Sequence, residues 1–349
     1  MAFPPYLLGG IYMSNTPIFL MPVKISGSET DLRLFHKAVD SIVAQTDPNW
    51  ILVMVDDFSN EPKVYEAIDE FKEKLKDRLH VIYQEKNLGA GLTRNTGIKY
   101  AKEIGAPFIL FNDSDDISDP RRLELVRKTF DEDKEANVVY TSFVVVDQNG
   151  IPTPREQITK PVLEIIDGHK VEPVEGENAW INIAIKKKYT NLTSCTAVRT
   201  SLAVEEPFPN ASCSEDCNTW LRYAAHPGKF VFLRDIVGLY TICRGVASRS
   251  RSIHADFYER MFEIDSDGFE KAVGIAKQYG TMGGYDENEV RTAFYVRLGL
   301  CLFNGGSPEW CQKAVEKSMG ISKERALHYI DILPCDEETK ASIRALALG

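Results

Sequence analysis

Three acids fall within four residues at Asp113-Ser114-Asp115-Asp116, one residue beyond the apolar run Phe108-Ile109-Leu110-Phe111. Carboxylates that close repel one another unless a cation joins them. An all-oxygen set suits Mg2+ or Mn2+, which often bridge protein and substrate phosphates. The competing reading is a solvated turn that caps the next helix. Two further acidic pairs stand at Asp56-Asp57 and Glu215-Asp216. Either could simply open or cap a helical turn, which the helix dipole favours. One cationic stretch stands out, Tyr240-Thr241-Ile242-Cys243-Arg244 followed by Ser248-Arg249-Ser250-Arg251-Ser252-Ile253-His254. It reads as an anion-binding segment or a solvated basic linker.

The elements that must position these residues alternate. Ile18 to Val23, Trp50 to Val55, Val81 to Tyr83, Pro107 to Phe111 and Val138 to Val146 read as apolar strands. Helical patterns run from Glu29 to Thr46, from Pro62 onward, from Leu92 to Ile104, and from Asp119-Pro120 as cap and first residue. Strands apolar throughout, alternating with amphipathic helices, predict a mainly parallel sheet covered on both faces. Ligands then bind outside the carboxyl ends of the strands. Those ends carry Lys24, Asp56-Asp57, Glu85-Lys86-Asn87 and the acids at 113–116. Residues 151–177, rich in proline and charge, read as an excursion or flap. Strand and helix signals resume from Thr193 to Tyr240. Lys186-Lys187-Lys188 reads as the polar end of a helix. Beyond His254 the pattern is helical over 256–279, 287–303, 308–319, 323–332 and 336–347, with caps at Ser307, Ser322 and Asp336.

Composition excludes several classes. With 44% hydrophobic and 26% charged residues, the chain is an ordinary globular one. A formal charge of −10 argues against sequence-independent binding of nucleic-acid polymers. The first lysine is Lys24, so a basic signal n-region is missing, and no apolar run is long enough to span a bilayer. A cytoplasmic location is expected. Seven cysteines, an odd number without framework spacing, agree; Cys213 and Cys217 read as reduced packing residues.

Three ordered stretches carry a resemblance. Val55-Asp56-Asp57-Phe58-Ser59-Asn60, Asn87-Leu88-Gly89-Ala90-Gly91-Leu92-Thr93-Arg94-Asn95-Thr96-Gly97 and Asn112-Asp113-Ser114-Asp115-Asp116 resemble glycosyltransferase family 2 in order and spacing. The resemblance covers about residues 17–250 and implies a GT-A Rossmann-like nucleotide-sugar domain. Lys24 departs from the family's usual aromatic or polar residue followed by Asn. The resemblance implies donor contacts from Pro22, Val23, Lys24, Asp57, Arg94, Asp113 and Ser114, with Asp57 on the base; the alternative is that Asp56 and Asp57 cap the next turn, a reading at least as good for Asp56. Arg94 would reach base or diphosphate; otherwise it is a helix-surface arginine. Asn95 and Gly97 would serve local packing. Asp113 would hold the ribose and Asp115 the metal, with Asp116 sharing one of those tasks. Arg244, Arg249 or Arg251 would neutralise the diphosphate, and His254 could complete the metal shell. Cys213-Ser214-Glu215-Asp216-Cys217 is similar to the family's Glu-Asp segment, making Asp216 the general base and Glu215 its substitute.

The expectation is an inverting, Mn2+- or Mg2+-dependent transferase using a nucleotide sugar, UDP-linked in the first instance, and a carbohydrate or other hydroxyl acceptor. Residues 1–16 would be an extension, 17–254 the GT-A domain and 255–349 a helical region that supports the acceptor site or mediates homo-oligomerisation. The rivals are a sugar nucleotidyltransferase and a non-catalytic scaffold on the same fold. The nucleotidyltransferase would want a Gly-rich phosphate loop, and Lys24-Ile25-Ser26-Gly27-Ser28 is a poor one.

Overall fold

A computed structural model describes residues 15–186, 190–243 and 255–348. Its centre is an eight-stranded sheet formed by β1 (Ile18–Val23), β2 (Ile51–Asp56), β3 (Leu79–Tyr83), β4 (Phe108–Phe111), β5 (Ala136–Val146), β6 (Gly176–Glu177), β7 (Thr196–Arg199) and β8 (Lys229–Thr241). The spatial order is β3-β2-β1-β4-β7-β5-β8-β6. Neighbours are parallel except where β7 meets β4 and β5, and where β6 meets β8. β1 and β4 are buried along nearly their whole length, which is why their sequences show no alternation.

One face of the sheet is covered by α1 (Glu29–Val43), α2 (Pro62–Leu75) and α4 (Arg122–Glu132). Ser28 starts α1 by accepting a hydrogen bond from Asp31 N, and Leu34, Phe35, Ala38, Val39 and Ile42 form its buried stripe. The expected cap of α4 is displaced. Asp119 bonds Arg121 N at 2.9 Å in a preceding turn, and the helix begins at Arg122.

The opposite face carries α3 (Ala90–Glu103), α6 (Ala179–Ile185), α7 (Thr200–Glu205) and α8 (Glu215–Ala225). A Cβ on Gly97 would lie 2.0 Å from Leu20 Cδ1, so any larger residue there would force the buried Leu20 side chain to move. The helices α9 (Phe257–Tyr279), α10 (Glu287–Gly305), α11 (Pro308–Ile321), α12 (Lys323–Asp331) and α13 (Glu337–Leu348) match the expected segments within two residues at each end. They share one continuous apolar core with this face of the sheet: Phe269, Phe294 and Tyr295 belong to the same cluster as Leu20, Phe111 and Trp220.

The stretch 151–177 is not simply an excursion. It contains α5 (Lys160–Val171), whose Pro161 lies in the first turn, where a missing N–H is tolerated. Val162, Ile165 and Ile166 pack on Phe143 and Val145 of β5 and form a small core of their own.

Candidate active site

The expected site residues converge where β1, β2 and β4 end. Asp56 is buried and accepts from Ser59 N at 3.2 Å and from the Tyr65 hydroxyl at 3.5 Å, so it shapes the turn. Asp57 ties two loops together. Its own N–H donates to Val23 O at 2.8 Å, while its carboxylate oxygens accept from Leu88 N at 2.6 Å and Gly89 N at 3.0 Å. Gly89, at φ 82°, is the residue before α3. Val23 is fully buried and reaches this loop through its carbonyl rather than its side chain; Pro22 is half-buried. Lys24 is exposed and its ammonium donates to Phe58 O.

Arg94 is no helix-surface arginine. It is 4% exposed, and its Nη2 donates to Asp113 Oδ1 at 2.9 Å while Nη1 donates to Glu215 Oε1 at 3.1 Å. Burial alone would lower the pKa of the guanidinium; the negative charges of Asp113 and Glu215 outweigh it and raise it further. Glu215 is held above the usual carboxylate range by burial and by the adjacent Asp216 charge, against the pull of Arg94. Next to Arg94, Asn95 exchanges two hydrogen bonds with the backbone of Phe208, at 2.8 and 2.9 Å. A Cβ on Gly91 would stand 2.8 Å from Pro209 O. These contacts press α3 against the segment that leads into α8. Ser214, immediately before Glu215, takes the left-handed conformation at φ 54° and aims the Glu215-Asp216 pair as the helix starts.

The acids at 113–116 divide. Asn112 donates to the carbonyls of Asp113 and Asp116, at 3.0 and 3.1 Å, and fixes the turn. Asp113 N donates to Ser194 Oγ at 3.0 Å. Ser114 is buried; Asp113 and Asp115 stay partly exposed. Asp116 turns inward, whereas the resemblance gives it a share in holding the ribose or the metal. It is 3% exposed, and its Oδ1 accepts from Thr241 N at 2.8 Å. Burial, reinforced by the charges of Asp115 and Asp113, raises its pKa well above the ordinary value. Ile117 and Leu239 exchange backbone bonds at 3.0 and 2.9 Å beside it. Among the described residues no group of three or more His, Cys, Asp or Glu side chains is arranged as an ion cage. Asp113 and Asp115 offer carboxylate oxygens at an accessible turn, a donor set that fits a divalent ion whose remaining ligands are water and substrate phosphate. Arg244, Arg249, Arg251 and His254 lie outside the described residues, as do Lys187 and Lys188.

Residues 32–194 match the model of glycosyl transferase family 2. The match covers just under half of the chain. An uncharacterized glycosyltransferase of Methanocaldococcus jannaschii is 32% identical over 118 residues, which is 34% of this chain and 39% of the relative. The chain spans less than half the length of the curated relatives it matches. Among solved structures, S. aureus TarS 1-349 superposes with a TM-score of 0.61 at 18% identity, covering 95% of this chain and 89% of that one. TarS has also been solved with UDP-GlcNAc. The mannosyltransferase PcManGT of Pyrobaculum calidifontis, in complex with GDP-Man and Mn2+, gives 0.54 at 16% identity, covering 95% and 86%. The fold is therefore GT-A.

The family 2 segment stops before α8, yet α8 is built into its site through Arg94. Further support comes from behind. Asn218 Nδ2 donates to Ile264 O of α9 at 2.8 Å, and Gly268 lets that helix lie against Asn218. At the far end of α8, Arg222 donates to Glu206 Oε2 at 2.6 Å and to Pro207 O at 2.8 Å. The Arg94–Glu215 pair and the Ser194 contact escaped sequence reasoning because nothing local signals either one. Among the described residues no helix is long and apolar enough to cross a membrane.

Proposed function

We propose that the protein is an inverting glycosyltransferase that moves a sugar from a nucleoside-diphosphate sugar, UDP-linked, to a hydroxyl acceptor. The observation that carries this reading is the Arg94 bridge, which draws the acid of the strand-end turn, Asp113, and the acid pair opening α8 into one site. Glu215 is engaged by Arg94, so Asp216 is assigned the proton. In the reaction Asp216 takes the acceptor hydroxyl proton as the oxygen attacks the anomeric carbon from the face opposite the leaving group. The bond to the nucleoside diphosphate breaks with its electron pair, and the configuration inverts. Asp113 and Asp115 would hold Mn2+ or Mg2+, which supplies charge stabilisation for the departing diphosphate. Asp57 and the loop at 87–89 would seat the nucleobase. The complexes of TarS with UDP-GlcNAc and of PcManGT with GDP-Man and Mn2+ support the donor class and the metal by analogy of fold. We assign α9–α13 to the acceptor half, since α9 braces α8.

The test is direct. The protein is incubated with a set of nucleotide sugars, UDP-linked ones included, with Mn2+ or with chelator, and nucleoside diphosphate release is measured. Metal-dependent release from one donor is expected. No release from any donor, with or without acceptor sugars, overturns the reading.

A further inference from the structure

Two non-glycine residues just past β2 hold left-handed backbone, Phe58 at φ 58° and Asn60 at φ 55°. Asn tolerates that region; a bulky aromatic rarely enters it. Such strain persists only where the surroundings enforce it. Here they do. Asp57, the preceding residue, is fixed by bonds to Val23 O, Leu88 N and Gly89 N. Ser59, the next, donates to the buried Asp56 carboxylate. The Lys24 ammonium donates to Phe58 O and lies 6.0 Å from the centre of the Phe58 ring. Yet the ring so held is not buried in the core: Phe58 is 40% exposed. An apolar side chain kept in an unfavourable backbone conformation and left in water contributes little to folding. It gains a use if a flat apolar ligand covers it.

Resting on the transferase reading, we infer that Phe58 is the stacking platform for the donor's nucleobase, with Lys24 as the positioning residue that holds it. The ring then covers the face of the base. Stacking tolerates any base, so Phe58 sets affinity without setting base identity.

Titration calorimetry of the full chain with Mn2+ and a panel of uridine, guanosine, adenosine, cytidine and thymidine diphosphates tests this. Phe58→Ala is expected to weaken the preferred nucleotide by about 5- to 100-fold, the effect of removing one base–aromatic stack. Phe58→Tyr should bind within about threefold of wild type. Phe58→Leu, which has similar bulk but no ring, should bind about as weakly as Phe58→Ala. Thermal midpoints should show all three folded, and Phe58→Gly, which accepts the left-handed backbone, should melt no lower than wild type while binding as weakly as Phe58→Ala. Wild-type affinity in Phe58→Ala, or equal affinity in Phe58→Leu and Phe58→Tyr, overturns the stacking role alone. A wild-type protein that binds none of the panel overturns the transferase reading and this inference with it.

Discussion

Arg94 Nη1 lies 3.1 Å from Glu215 Oε1, joining residues 121 positions apart in sequence. The same guanidinium holds Asp113, and its side chain is 5% exposed. The two acids it pairs belong to different halves of the site, so this one side chain sets the spacing between them. The planar fork of arginine can serve both carboxylates at once; the ammonium of lysine offers no such geometry.

Arg94→Ala should therefore be costly twice over. It leaves partly buried carboxylates without their counter-charge, which typically destabilises by about 3–5 kcal/mol, and it frees α8 to drift from the strand ends. Arg94→Lys should recover part of the stability and little of the transfer rate. Denaturant unfolding alongside a transfer assay checks both. Full activity in Arg94→Lys would remove the spacing role.

Asp216→Asn keeps shape and a hydrogen bond but cannot accept a proton. Transfer should fall by about 10²–10⁴, the usual contribution of a positioned general base, with nucleotide affinity within a few-fold of wild type. Glu215→Gln should instead act mainly on stability, through its bond to Arg94. If Glu215→Gln is dead and Asp216→Asn turns over normally, the assignments exchange.

Asp115→Ala should abolish the Mn2+-dependent part of nucleotide binding in a folded protein. Asp116→Asn, by contrast, should leave metal-dependent binding intact, because Asp116 faces Thr241 N rather than the open turn. Calorimetry with and without Mn2+ separates them; equal losses would return Asp116 to the metal shell.

That contrast shows where sequence reading ended. The strands β1, β2 and β4 were legible because residues buried on both faces are apolar throughout, and the C-terminal helices because Ser322 and Asp336 announce their starts by accepting from Arg325 N and Thr339 N. Which acid of 113–116 turns inward was not legible. It depends on a backbone N–H 125 positions later, on β8. The Arg94 bridge is invisible for the same reason. In α5, Pro161 and Gly168 made a helix look like a loop, and only the packing of Ile165 against β5 decides it.

Glu206 offers a pH test. Burial alone would raise its pKa, but hydrogen bonds from His226 and Arg222 outweigh that and hold it below the usual value. A depressed folded-state pKa gives stability that is present above the unfolded value of 4.5 and lost as pH falls through the folded one. Glu206→Gln should lower stability at neutral pH by about 1–3 kcal/mol, and its deficit should shrink as pH drops below 4.5. Unfolding curves at several pH values check this. A deficit independent of pH would assign the loss to packing.

The C-terminal helices reach the chemistry through one close approach. A Cβ on Gly268 would stand 2.7 Å from Asn218 Cα, a backbone atom that cannot swing aside. Gly268→Ala must push α9 off α8, at about 1–3 kcal/mol, the usual cost of overpacking. Since α8 begins with Glu215 and Asp216, the displacement should lower the transfer rate more than nucleotide affinity, which depends on β1, β2 and β4. Gly274, on the same helix, has nothing within 4 Å of an added Cβ. Gly274→Ala should be neutral or stabilising by about 0.5–1 kcal/mol, the helix preference of alanine over glycine. Thermal melts with transfer and binding assays on both variants decide the matter. Should Gly268→Ala melt and turn over like Gly274→Ala, α9 does not brace the acid pair.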